Sequence, residues 1–274
     1  MAMQRAFLGF AAIAVLLCLG QAQALTLSAE SDYVITGYEV ALVFHVLLFV
    51  FWLGPDVGVY VWSTKAASAT MTPSQRLTAG RMMHTIEFMP RVCVSLMLTV
   101  GGILTEAVGL DHPTWQWIGI ILLGPVWLFI VVVAYFREGT WFGGTMAKLD
   151  DVLRWIVIVG VIVSTTYSLV AGRLEPAPWV AGKLYLFAAI VFLGLMMRKQ
   201  MEPFFSSLRR LENEEPNDEI NNAMIASLGR GRLFVFAIWA ALLIAAWLGI
   251  SQPGSPYSAQ PSSALVVGST AQEG

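Results

Sequence analysis

TWQWIGIILLGPVWLFIVVVAYF, residues 114–136, runs for 23 residues without a charged side chain. About 20 apolar residues in helical form are enough to cross a bilayer. The stretch therefore reads as a transmembrane helix, and it sets the scale for the rest of the chain. Five more apolar runs of similar length lie at roughly 39–63, 85–107, 153–171, 179–199 and 232–250. None alternates polar and apolar residues as the strands of an outer-membrane barrel do. Helices are the remaining way to satisfy backbone groups in lipid. The expected fold is all-α, a polytopic transmembrane helix bundle, and a composition of 57% hydrophobic and 12% charged residues fits it.

The ends of the chain read differently. Arg5, the apolar run Phe7 to Leu19 and Ala22-Gln23-Ala24 have the order of a signal peptide over residues 1–24. That leaves six spans after cleavage, or seven if the segment stays as a first helix. The transmembrane domain is expected over 25–250, and the Ser-, Pro- and Gly-rich stretch 251–274 reads as a disordered tail. Residues 203–229 read as a short helical connector. Of the two cysteines, Cys18 falls in the leader and Cys93 in an apolar run, so no disulfide is expected.

Loop charge orients the bundle. Lys65, Arg76, Arg81, Arg137, Lys148, Arg198, Lys199, Arg209, Arg210, Arg230 and Arg232 cluster at one end of the spans. Glu30, Asp32, Glu106, Asp111 and Glu175 lie at the other, with Arg173 as the one basic residue there. The positive-inside rule places residues 64–84, 137–152 and 200–231 in the cytoplasm, and both mature termini on the periplasmic side of an inner membrane.

Chemistry is sought where ionisable groups sit inside apolar runs, because such groups are costly in hydrocarbon unless paired or ligated. His45, Phe49, Trp52, Asp56 and Ser63 share one face of the first span, and Pro55 predicts a kink beside Asp56. His84, Glu87 and Arg91 share one face of the second. Asp56 and Arg91 lie at similar depth, so a structural ion pair between adjacent spans is expected. Glu87 and His84 join them as a structural cluster or a proton path. Lys183 opens the fifth span near the depth of His45, where it can snorkel to headgroups or face one cavity with the histidine. A neutral imidazole can ligate haem iron, and a lysine can bind a propionate. Met82, Met83, Met89, Met97, Met196, Met197 and Met201 admit a Cu(I) relay, although methionine is also a routine filler of apolar helices. No phosphate-cradling glycine loop, zinc motif, nucleophile elbow or basic nucleic-acid patch is present.

Three segments resemble one family in order. His45-Val46-x5-Trp52 looks like the opening of the HemJ-type protoporphyrinogen oxidases, relatives of the copper-resistance-D superfamily. Phe88-Met89-Pro90 with Leu96-Met97-Leu98-Thr99-Val100-Gly101-Gly102 is similar to the family's "MTP…LTLVFG" stretch. Trp179-x3-Lys183-Leu184 is similar to its "WLHAKL" segment, with Ala181 standing where the family has histidine. The resemblance implies a membrane oxidoreductase with haem b. His45 and Lys183 would be the catalytic and cofactor-binding residues, His45 would be the metal ligand, and Trp52 and Arg91 would line the cofactor. Electrons would pass to a quinone or respiratory partner. Copper or proton transport, and an accessory subunit in a homo-oligomer surrounded by lipid, remain the alternatives.

Overall fold

The computed structural model describes residues 36–255; the expected leader over 1–24 with Cys18, the loop charges Glu30 and Asp32, and the expected tail beyond Ser255 lie outside them. Six α-helices follow one another: α1 (Gly37–Ala66), α2 (Pro73–Ala107), α3 (Thr114–Phe136), α4 (Trp141–Val170), α5 (Trp179–Arg210) and α6 (Asp218–Ser251). All six are long and apolar enough to span a membrane, and the chain is an integral membrane protein of the all-α class.

Local chemistry sets the starts of several helices. Thr36 accepts the Glu39 amide of α1 while Glu39 reaches back to the Thr36 N–H, a reciprocal cap. Thr72 and Gln75 repeat it at α2, with Pro73 in the first turn. Asn217 caps α6 through the Ile220 amide at 2.9 Å. The links are short, so consecutive helices are antiparallel neighbours. Gly139, between α3 and α4, turns the chain at φ 81°, a conformation that costs glycine little. α1 continues through Pro55 without a break.

The helices form two layers of three. α1, α2 and α3 lie side by side, α4, α5 and α6 do likewise, α3 packs on α4 to join the two layers, and α2–α5 and α1–α6 meet only lightly. The central helices α2 and α5 are the most buried, whereas α1 turns Val43, Val46, Val50 and Val61 outward. Packing between α2 and α3 is pinned by Thr99. Its hydroxyl donates to the Ile120 carbonyl at 2.7 Å and accepts the Gly124 N–H at 2.8 Å. A Cβ on Gly124 would come within 2.7 Å of that oxygen, so the approach requires glycine. Such interhelical bonds replace the hydrophobic drive that lipid cannot supply between helices.

Several helices outrun the apolar stretches that mark the spans. α2 has 35 residues, about 52 Å at 1.5 Å each, against a hydrocarbon core of about 30 Å. α2 and α4 begin at Pro73 and Trp141, well before the expected starts at 85 and 153. The expected connector over 203–229 is instead the continuation of α5 and α6, joined through residues 211–217. The overhangs pack at the basic end around Ala66, Met83, Phe204, Ile220 and Met224. Arg76, 1% exposed, binds this cap together. It donates to the Ala66 carbonyl at 2.9 Å, Asn221 Oδ1 at 2.8 Å and Met224 Sδ at 3.0 Å.

Candidate functional site

Two groups of ionisable side chains lie inside the bundle, one towards each end. At the acidic end, α1 brings His45 against Gly101 of α2. A Cβ at residue 101 would lie 3.4 Å from the His45 Cε1, so the ring packs directly on this stretch of α2. His45 Nδ1 is buried without a hydrogen-bond partner. Lys183 of α5 is within electrostatic reach of His45. Its ammonium stands 5.5 Å from the Trp179 ring centroid, and its reach across α6 is allowed by Gly249, where a Cβ would lie 2.9 Å from Nζ. Among the described residues no carboxylate pairs with Lys183 within 4.0 Å. Phe49 and Asp56 share the inward face of α1 with Trp52, which is buried in the core.

The structure does not bring Arg91 to this group. Ten residues separate it from Gly101 along α2, roughly 15 Å of helix. The expected Asp56–Arg91 ion pair does not form either. Asp56 accepts the Trp239 indole N–H of α6 at 2.7 Å, and Arg91 pairs with Glu87 one turn back at 2.6 Å. Depth along two helices was legible in the sequence, but the direction each side chain takes around its helix was not. A same-helix partner four residues away also needs no second helix to be placed.

Towards the basic end lies a wider belt of charge. His84 stacks on Tyr135 with ring centroids 4.8 Å apart. It bridges Glu87 at 3.3 Å and Glu138 at 3.2 Å, so one imidazole links a half-buried carboxylate to an exposed one. On α4, Asp150 is 4% exposed and Arg154 5%. Asp150 receives Arg154 at 3.0 Å, Arg198 of α5 at 3.0 Å and the buried Trp127 indole N–H of α3 at 2.8 Å. Arg198 also reaches Asp151 at 2.9 Å, and Arg154 lies 5.3 Å from the Trp127 ring centroid. Attraction between Arg198 and Glu87 links the two halves. Sequence reasoning missed Asp150, Arg154, Arg198, Trp127 and Trp239. The Asp150-x3-Arg154 spacing was the available signal.

His112, in the α2–α3 link, bonds Thr105 Oγ1 at 2.7 Å, and burial holds its imidazole below the usual histidine range. Met83, Met201 and Met224 pack in the basic-end cap, where the Arg76 guanidinium occupies the Met224 sulfur. Among the described residues no group of three His, Cys, Asp or Glu side chains is placed to hold a metal ion. Searches among protein-family models, curated proteins and solved structures return no match to this chain.

Proposed function

We propose that this protein is a membrane redox protein that holds a b-type haem or related tetrapyrrole at its acidic end. His45 would be the axial ligand and Lys183 the cation that receives a propionate. The observation that carries this reading is a half-buried histidine whose buried ring nitrogen is unpartnered, packed on a glycine and within reach of an unpaired lysine. A buried polar atom left unpaired costs about 1–3 kcal/mol, so such a site favours a bound group. The resemblance of the His45, Gly101 and Lys183 segments to the HemJ-type oxidases supports the same assignment. When bound, haem supplies one-electron chemistry. The chain contributes ligation, a cation beside the acidic rim and exclusion of water by the apolar core. The positive-inside rule supports a cytoplasmic basic end, which reporter fusions at Ser255 and Glu214 test.

The test is a visible spectrum of the purified, haem-supplemented protein. A Soret band with split α and β bands on reduction is expected. His45→Ala should abolish it, Lys183→Ala should lower occupancy, and His112→Ala should leave it intact. A colourless wild type defeats the haem reading, and loss with His112→Ala alone moves the site elsewhere.

A second reading, a proton path, is favoured by the Glu138–His84–Glu87 chain. Side-chain exposure along it falls from 68% at Glu138 through 40% at His84 to 17% at Glu87. Proteoliposomes that acidify at the same rate with His84→Ala as with wild type would remove this reading.

A further inference from the structure

One cleft on the bundle lies away from both charged groups. It is about 400 Å³ and runs between α3 and α4 in the acidic-end half, within the size range of small-molecule sites. Val159, Gly160, Val163 and Tyr167 form its α4 wall at helical spacings that keep them on one face. Nothing lies within 4 Å of where a Gly160 Cβ would be, so the floor is open rather than packed. From Val159 to Tyr167 the wall is roughly 12 Å long, most of one leaflet of a hydrocarbon core about 30 Å thick.

The mouth of the cleft differs from its walls. Trp115, at the start of α3, and Tyr167, near the end of α4, flank it at the level where aromatic residues meet headgroups. Arg173 closes the rim. Its guanidinium donates to the Asp111 backbone carbonyl at 3.0 Å and to Gln116 Oε1 at 3.5 Å, both neutral acceptors. Among the described residues no carboxylate pairs with it within 4.0 Å, although Glu106, Asp111 and Glu175 belong to the same end. A tethered cation without an ion-pair partner therefore stands over an apolar, membrane-depth cleft between two interfacial aromatics.

We infer that this cleft is a binding site for one anionic phospholipid. The phosphate sits on Arg173 and an acyl chain lies along Val159, Gly160 and Val163. Charge complementarity selects the headgroup, since an acyl chain alone would fit beneath any lipid. Tethering by Asp111 and Gln116 fixes the guanidinium at the rim before the lipid arrives, which lowers the ordering cost of binding.

Native mass spectrometry of the full-length protein in detergent tests this, with phosphatidylglycerol and phosphatidylcholine of identical chains titrated in parallel. One basic residue at a membrane surface is worth about fivefold in affinity for an anionic lipid. Wild type should therefore retain one phosphatidylglycerol about fivefold more tightly than phosphatidylcholine. Arg173→Gln should remove that preference. Gly160→Leu, which fills open space on an exposed helix face, should weaken both lipids. Arg137→Gln, a cation lost at the opposite end, should change neither. Equal retention of the two lipids by wild type, an unchanged preference in Arg173→Gln, or displacement of the phosphatidylglycerol by an equimolar neutral quinone would overturn the assignment.

Discussion

Asp150→Ala is the most demanding test of the buried charge belt. The carboxylate is 4% exposed and takes three donors, from Arg154, Arg198 and Trp127. Its removal leaves Arg154, 5% exposed, without its one bonded counter-ion, while Arg198 keeps Asp151 at 2.9 Å. Breaking a buried pair from one side costs about 3–5 kcal/mol. An orphaned buried indole N–H adds about 1–3 kcal/mol, and the two overlap because they share one acceptor. A net loss of about 4 kcal/mol follows. At about 2–4 °C per kcal/mol for a chain of this size, the melting temperature should fall by about 8–16 °C. Tryptophan fluorescence during thermal unfolding in detergent reads this directly. Asp150→Asn, which keeps an acceptor for Trp127, should lose less. Asp150→Leu combined with Arg154→Met should recover most of the loss, because apolar replacement of a buried pair is often neutral. An Asp150→Ala variant that melts within about 2 °C of wild type would refute the claim that this pair is closed to water.

Gly124→Ala should destabilise the α2–α3 packing by about 1–3 kcal/mol, since the new methyl would meet the Thr99 side chain at 2.7–2.9 Å; Thr99→Gly in the same background, which removes both contacting atoms, should relieve the clash. In a double-mutant cycle, Asp56→Asn and Trp239→Phe should couple by about 0.5–1.7 kcal/mol. Asp56→Asn and Arg91→Gln should add within about 0.5 kcal/mol, and strong coupling there would restore the ion pair that the structure separates. His112 titrates below its ordinary 6.5 because burial disfavours its charged form. Its contribution to stability is therefore complete above 6.5 and is lost as pH falls from there towards the lowered folded value. His112→Gln should flatten that part of the stability–pH curve relative to wild type, and identical curves would contradict the burial argument.

The sequence was most readable where composition alone decides. The uncharged run 114–136 and the helix Thr114–Phe136 agree because Pro113 and Arg137 bound that run. α4 was harder: Lys148, Asp150, Asp151 and Arg154 look like the end of a loop when each charge is counted as exposed. Asp150 and Arg154 cancel one another at helical spacing, so the helix passes through them. The basic-end overhangs were hidden for a similar reason. Residues 203–229 are polar on average, yet Phe204, Leu211, Ile220, Met224 and Leu228 are buried. A moment-based reading, rather than a mean, would have found their apolar stripe. For the candidate site, the helical faces of His45 and His84 were legible from periodicity. Partners across helices were not, because rotation about each axis is set by packing that one sequence does not print.

Arg76 ties the first hairpin of the chain to its last helix, and this has a consequence for biosynthesis. Two of its three hydrogen-bond partners, Asn221 and Met224, lie 145 and 148 residues further along the chain. At about 5–20 residues per second, a ribosome needs roughly 7–30 s after making Arg76 to deliver them. Throughout that interval α1 and α2 carry a guanidinium whose final resting place does not yet exist. The α1–α2 hairpin must therefore keep Arg76 in water or on a chaperone until α6 arrives. A ribosome stalled before residue 218 should leave this arginine open to a guanidine-selective reagent, and the completed chain should protect it.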